Sequence, residues 1–392
     1  MRHIKNKFML YKNNQGISAM HKVKSGLDSL SENVGWQQKM SGKIGYLCHS
    51  ASVDSNLSFG VDRLIELFGD RLIKLYGPQH GFVTDVQDNM IETKDFIHPF
   101  YKIPVYSLYS ETRIPTTEML TDVDTLIIDL QDVGCRIYTY AHTMTHTMEA
   151  CQKLGIKVVI LDRINPIGGE IIEGNILRPE FRSFVGRHPI PVRHAMTMGE
   201  LANYCKKFHN LDCELEIVPL VGWRRNMIEP AKSTVWINPS PNLPSHASCL
   251  AFPGTVLLEG CNLSEGRGTT RPLELIGHPN IEPHSFIKKV NNALSKTDLD
   301  GFKLRPTVFH PMFQKYAGQT CGGFHIHITD PLRFRPWRLG QILLRLFKEE
   351  IGSDFEWKQD GYEYQYDRPA IDFINGDDQI RKWVEDSGDY QE

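Results

Sequence analysis

Apolar residues along this chain fall in short unbroken runs more often than in strict alternation. Lys43–Cys48 (KIGYLC), Leu72–Tyr76 (LIKLY), Val105–Leu108, Thr125–Leu130 (TLIIDL), Lys157–Leu161 (KVVIL) and Glu216–Leu220 (EIVPL) have the length and composition of buried strands. Between them, Val61–Phe68, Tyr140–Leu154 and Met198–Phe208 space their apolar residues at helical intervals. Strands separated by helices predict an α/β fold with a parallel sheet built from βαβ units. Right-handed crossovers then bring the carboxyl ends of the strands to one edge.

The pattern changes near residues 275–282 (IGHPNIEP), after which a helix over Ser285–Leu294 precedes strands at Lys303–Phe309 and Gly323–Thr329. Further helices are expected near Trp337–Glu350 and Asp377–Asp386. The expected organisation is a parallel-sheet domain over residues 23–277 that carries most of the site, followed by a smaller α+β domain over residues 278–392. Residues 1–22 are read as a disordered basic leader. With 392 residues the chain exceeds one ordinary core, which agrees with two domains.

Charge and cysteine content narrow the partner. The 44 Lys+Arg and 47 Asp+Glu are interspersed, with none of the basic striping of nucleic-acid binders. Eight cysteines lie scattered without C-x-x-C spacing, which predicts buried thiols in a reducing compartment. Phe8–Tyr11 is too short for a signal segment and no later run could span a bilayer, so the chain is expected to be cytoplasmic, with a small molecule and neither nucleic acid nor membrane as partner.

Polar motifs follow the strands. GPQHGF (residues 77–82), DLQDVGCRIYTY (residues 129–140) and LDRINPIGG (residues 161–169) each sit where a strand ends, the position at which open α/β sheets bind ligands. The stretch Phe252–Pro272 (FPGTVLLEGCNLSEGRGTTRP) mixes Glu259, Glu265, Arg267, Arg271, Asn262 and Thr269 among glycines, the composition of a ligand-binding loop. Each motif has a structural alternative. Asp129 and Asp132 can cap the helix that starts near Tyr138, and Asp162, Arg163 and Asn165 can form an ion pair and turn before Pro166. WINPSPNLPS (residues 236–245) can be a stiff crossing, or can offer Asn242 and Trp236 to a sugar. His325 and His327 share one strand face and read as a structural pair. There is no G-x-S-x-G, Walker or G-x-G-x-x-G motif, so no cofactor and no metal is called for.

Taken in order, GPQHGF, QDNM, SLYSET, DLQDVGCRIYTYAHTM, LDRINPIGG, SFVGRHPIPVRHAMTMGELA, WINPSPNLPS, FPGTVLLEGCNLSEGRGTTRPLE and CGGFHIHITD resemble the bacterial exo-β-N-acetylmuramidases of the NamZ type, from about residue 24 to the C-terminus. The resemblance implies a Rossmann-like domain with a smaller α+β domain, a cleft between them, and release of terminal N-acetylmuramic acid from peptidoglycan fragments in cell-wall recycling. The chain departs from that pattern at one position: where the family usually reads Pro-Glu-His-Gly-Phe, it has Gln79. An amide orients groups but stores no proton at neutral pH. Candidates for the acid, base or acetamido-orienting roles are therefore Glu265 first, then Asp129, Asp132 and Glu173, with Asp88 and Glu92 behind them and Gln79 and His80 beside them. Arg267, or else Arg136, is expected to hold the lactyl carboxylate of a muramic sugar, with Tyr138, Asp162, Asn165, Asn242, Asn262 and Thr269 contacting the rest of the glycan. Two other classes remain open, a non-catalytic amino-sugar binder and a metal-assisted hydrolase using His80, Asp129, Asp132 and Asp162.

Overall fold

The computed structural model describes residues 23–87, 90–228 and 235–386. The expected leader and Asp88 lie outside the described residues. The apolar runs form strands: β1 (Ile44–Cys48), β2 (Leu72–Gly77), β3 (Phe96–Ile97), β4 (Pro104–Ser107), β5 (Thr125–Asp129) and β6 (Lys157–Leu161). β7 (Glu173–Ile176) and β8 (Pro191–Arg193) make a separate ribbon, and β9 (Leu215–Val218) completes a seven-stranded sheet of order β3-β4-β2-β1-β5-β6-β9. All its pairings are parallel except that of β3 with β4. β1 and β5 are buried at every position, which is why they read as continuous apolar runs and not as alternating ones. The strand order reverses between β1 and β5, so a crevice opens there at the carboxyl ends.

Helices Tyr140–Leu154 and Met198–Phe208 occupy the residues their periodicity predicts. The second starts at the capping box of Thr197 and Glu200, and the first stops at Gly155, whose φ of 68° is a left-handed cap.

The second unit is α+β. β10 (Leu275–His278), β11 (Phe302–Phe309) and β12 (Cys321–Ile328) form an antiparallel sheet of order β10-β12-β11. β10 straddles the boundary expected between residues 277 and 278, and all of it belongs to this sheet. Helix Pro336–Ile351 crosses helix His246–Thr255 where Gly254 and Gly340 meet; a Cβ on Gly340 would lie 2.4 Å from the Gly254 carbonyl oxygen. The helix expected near Asp377–Asp386 is Gln379–Glu385, and a further helix, Ala370–Asn375, precedes it and ends at Gly376 with φ 83°. Phe252–Gly260, expected as loop, is helix and 3-10 turn, because Phe252, Val256, Leu257 and Leu258 all face the core. No helix among the described residues is long and apolar enough to cross a membrane.

Candidate active site

β2 ends at Gly77, whose missing side chain lets the Phe82 backbone pass; a Cβ there would meet the Phe82 nitrogen at 2.6 Å. The chain folds back through His80 and Gly81 at φ 70° and 84°, a left-handed pair unusual for a histidine. His80 is held by its Nδ1, 2.8 Å from the Val86 carbonyl oxygen. This turn aims Gln79 inward. Its Oε1 accepts from Thr139 Oγ1 at 2.6 Å and its Nε2 donates to Glu363 Oε1 at 3.1 Å. The other oxygen of Glu363 accepts from the Tyr109 hydroxyl at 2.7 Å.

Gln79, His80, Tyr138, Thr139, Asn242, Glu259, Arg267, Tyr362 and Glu363 line one cavity of about 40 Å³. Asn242 is also on the wall of an open groove of about 570 Å³, together with Gly268, Thr269 and His310. The sheet unit thus supplies one wall and the second unit the other. Behind Arg267 the charges form a relay. Its NH2 donates to Glu259 Oε1 at 2.6 Å, its Nε is 3.1 Å from Glu265 Oε1, and Lys315 Nζ donates to Glu265 Oε2 at 2.9 Å. Gly266 and Gly268, at φ 76° and 82°, permit that fold of the backbone.

The two carboxyls of the cavity are pushed apart. Burial raises the proton affinity of Glu363, and facing Glu259 adds to it, against the smaller opposing pull of Tyr109, Gln79 and Arg113. Burial acts the same way on Glu259, yet Arg267 and the hydroxyl of Tyr362, 2.7 Å from Oε2, outweigh it and hold this carboxyl below its ordinary range. Desolvation takes His80 down to about 4, so its imidazole is neutral near pH 7.

A second cavity, about 120 Å³, opens at the ends of β1, β5 and β6 beside Arg163, Gln131 and Trp236. Its charged groups are bound to one another or to backbone. Asp28 accepts from Ser55 N at 2.8 Å, Asp54 from Arg63 Nε at 2.7 Å, and Arg163 grips Asp129. The Gln79 cavity, where two carboxyls stand under opposite electrostatic pressures, is the better candidate for acid–base chemistry.

Residues 44–247 match the N-terminal domain of the exo-β-N-acetylmuramidase NamZ family and residues 250–392 match its C-terminal domain. This chain belongs to the NamZ family. It is 39% identical over 367 residues to the peptidoglycan β-N-acetylmuramidase NamZ of Bacillus subtilis, covering 93% of this chain and 84% of that one. Two DUF1343 family proteins of Bacteroides fragilis share the fold. One has a TM-score of 0.79 at 30% identity, covering 92% of this chain and 91% of its own. The other has a TM-score of 0.68 at 25% identity, covering 93% and 90%.

In this NamZ-family chain the residues singled out from sequence separate into groups. Gln79, His80, Tyr138, Asn242 and Arg267 line the cavity, and Thr269 lines the groove, its hydroxyl donating to the Gly266 carbonyl at 2.6 Å. Asn242 donates to the Gln87 carbonyl at 2.8 Å, which fixes its side chain. Glu265, the first-choice acid, is ion-paired with Arg267 Nε at 3.1 Å and Lys315 Nζ at 2.9 Å behind the cavity wall.

The remaining candidates bind the scaffold. Asp129, fully buried, accepts from Tyr46 Oη at 2.6 Å and from Arg163 Nε at 2.5 Å. Asp132 accepts from Gly134 N at 2.6 Å and stands 3.4 Å from His194, while Glu173 pairs with Arg193 at 3.2 Å in the β7–β8 ribbon. Asp162 caps the Met198–Phe208 helix by accepting from Gly199 N at 2.7 Å and Thr197 Oγ1 at 3.0 Å. Asn165 donates to the Met196 carbonyl and Asn262 to that of Asp354. Arg136 is no sugar anchor here, because its guanidinium donates to the carbonyls of Asn175, Ile190, Ile374 and Asn375. Glu92 is exposed and pairs with Arg113 at 3.4 Å. The donors of the metal reading are thereby dispersed, and no group of His, Cys, Asp or Glu among the described residues is arranged to hold a metal ion.

Sequence reasoning missed Glu363, Tyr362, Tyr109 and Lys315. The signal was present in GYEYQYDRP (residues 361–369), which interleaves an acid with tyrosines as a binding loop does.

Proposed function

We propose that this NamZ-family chain is a glycoside hydrolase that releases N-acetylmuramic acid from the non-reducing end of peptidoglycan fragments during cell-wall turnover, and that it acts in the cytoplasm. Hydrolysis of a glycoside needs one carboxyl to protonate the departing oxygen, and a second charged or acetamido group to meet the positive charge that develops at C1. The observation that carries the reading is that Glu259 and Glu363 line one cavity under opposite electrostatic pressures. The described residues match both domains of a family named for this reaction. The groove shared with Asn242 and Thr269 has room for the remainder of the glycan, and the cysteines are all free and buried, as a reducing compartment permits.

Gln79 alone favours a second reading, a protein that binds the amino sugar without cutting it. One experiment separates them. The purified protein is incubated with a disaccharide carrying N-acetylmuramic acid at its non-reducing end, and free N-acetylmuramic acid is followed by mass spectrometry alongside calorimetric binding. Release supports the hydrolase; binding without release supports the alternative.

A further inference from the structure

We propose that Glu363 is the general acid of this site and that Gln79 is the positioning residue that holds it. This inference rests on the glycosidase reading above and names the residue on which its chemistry turns. Among the described residues, the carboxyls on the cavity wall are Glu259 and Glu363. Glu259 is bound by the Arg267 guanidinium at 2.6 Å, a charge-assisted contact that favours the ionised form. Glu363 has neutral hydrogen-bond partners instead, the Gln79 amide and the Tyr109 hydroxyl, and is nine-tenths or more buried.

A protonated Glu363 fits the same contacts. One oxygen continues to accept from Gln79 Nε2, and the acid hydrogen lies on the other oxygen, where Tyr109 can turn its hydroxyl to accept. With Thr139 donating to Oε1 at 2.6 Å, the Gln79 amide presents Nε2 to Glu363. The amide therefore pins Glu363 Oε1 without competing for the proton. The groups facing Glu363 are Gln79, Tyr109, Glu259 and Arg113, the last stacked over the Tyr109 ring at 4.2 Å. In the reaction, Glu363 gives its proton to the glycosidic oxygen as the bond from C1 to that oxygen breaks. The positive charge at C1 faces ionised Glu259. A water then adds to C1, and the proton it gives up restores Glu363.

The test uses the full-length chain with two substrates, the unactivated disaccharide and an aryl N-acetylmuramic acid glycoside whose nitrophenol leaves without protonation. Glu363→Gln keeps the shape and both hydrogen bonds. It is expected to lower kcat on the disaccharide at least about a hundredfold, to cost far less on the aryl glycoside, and to abolish the basic limb of the pH profile. Gln79→Glu, which sets a second carboxyl against Glu363, is expected to move that limb to higher pH. Equal losses on both substrates with an unchanged pH profile would overturn the acid role, as would a Gln79→Glu enzyme that no longer depends on Glu363. An active wild type with undiminished Glu363→Gln defeats this assignment alone; a wild type inactive on both substrates defeats the glycosidase reading with it.

Discussion

Gln79 donates its amide to the Glu363 carboxylate at 3.1 Å across 284 positions of chain, joining the loop after β2 to the second unit inside the cleft. Glu363→Ala would leave this amide and the Tyr109 hydroxyl buried without an acceptor. Each unsatisfied group costs about 1–3 kcal/mol, so urea unfolding should show a loss of a few kcal/mol, whereas Glu363→Gln should lose much less. Equal losses for the two variants would mean that the hydrogen bonds do not hold the units together.

Asp129 tests the distinction between scaffold and site. It neutralises buried Arg163 and accepts from Tyr46. Asp129→Asn strands the guanidinium and should destabilise the protein by about 3–5 kcal/mol, while the folded fraction keeps its turnover. A stable variant with no turnover would return Asp129 to the chemistry.

Arg267 lines the cavity but lies between Glu259 and Glu265. A lysine cannot bridge both carboxylates. Arg267→Lys should therefore weaken transition-state binding by roughly 1.5–3 kcal/mol, in equal proportion for muramic and N-acetylglucosamine glycosides. A loss confined to muramic sugars in kcat/KM would show that Arg267 instead grips the lactyl carboxylate.

Acid should unfold the protein from an identifiable set of groups. His80, His142 and His246 are each brought down to about 4, chiefly by burial, with one ring nitrogen 2.8 Å from a backbone carbonyl. Their unfolded value is near 6.5, so between about 6.5 and 4 the unfolded chain binds more protons than the folded one. Stability is then full above pH 6.5 and falls as pH drops towards 4, by up to roughly 1.4 kcal/mol per pH unit for each histidine. Thermal melting between pH 7.5 and 5 checks this, and a melting temperature that is flat or rises on acidification would contradict it.

The parallel sheet was legible because its central strands are buried on both faces and leave continuous apolar runs, as KVVIL does for β6. β10 was not, since Leu275–His278 is four residues long and lies beside a change in composition. At the site, Gln79 could be read from the loop that follows β2, and Asn242 and Arg267 from polar stretches rich in proline and glycine. Asp129 and Asp162 sit at equivalent places, and only their partners Arg163, Tyr46, Thr197 and Gly199, distant in sequence, show that they brace the scaffold. Arg136 is similar: four carbonyls gather around it only in the fold. Glu363 escaped because its tyrosine-interleaved segment belongs to no helix or strand and its partners arrive from Gln79 and Tyr109, both in the other unit.

The central claim is that the sugar is cut in the cleft between Gln79 and the second unit. A crystal structure with a non-hydrolysable thioglycoside of N-acetylmuramic acid tests it most directly. The account predicts the bridging sulfur within hydrogen-bond reach of Glu363, with Glu259 facing C1 and the rest of the ligand along the groove of Asn242 and Thr269. A ligand seated instead against Arg163 and Trp236 at the ends of β1, β5 and β6 would contradict it.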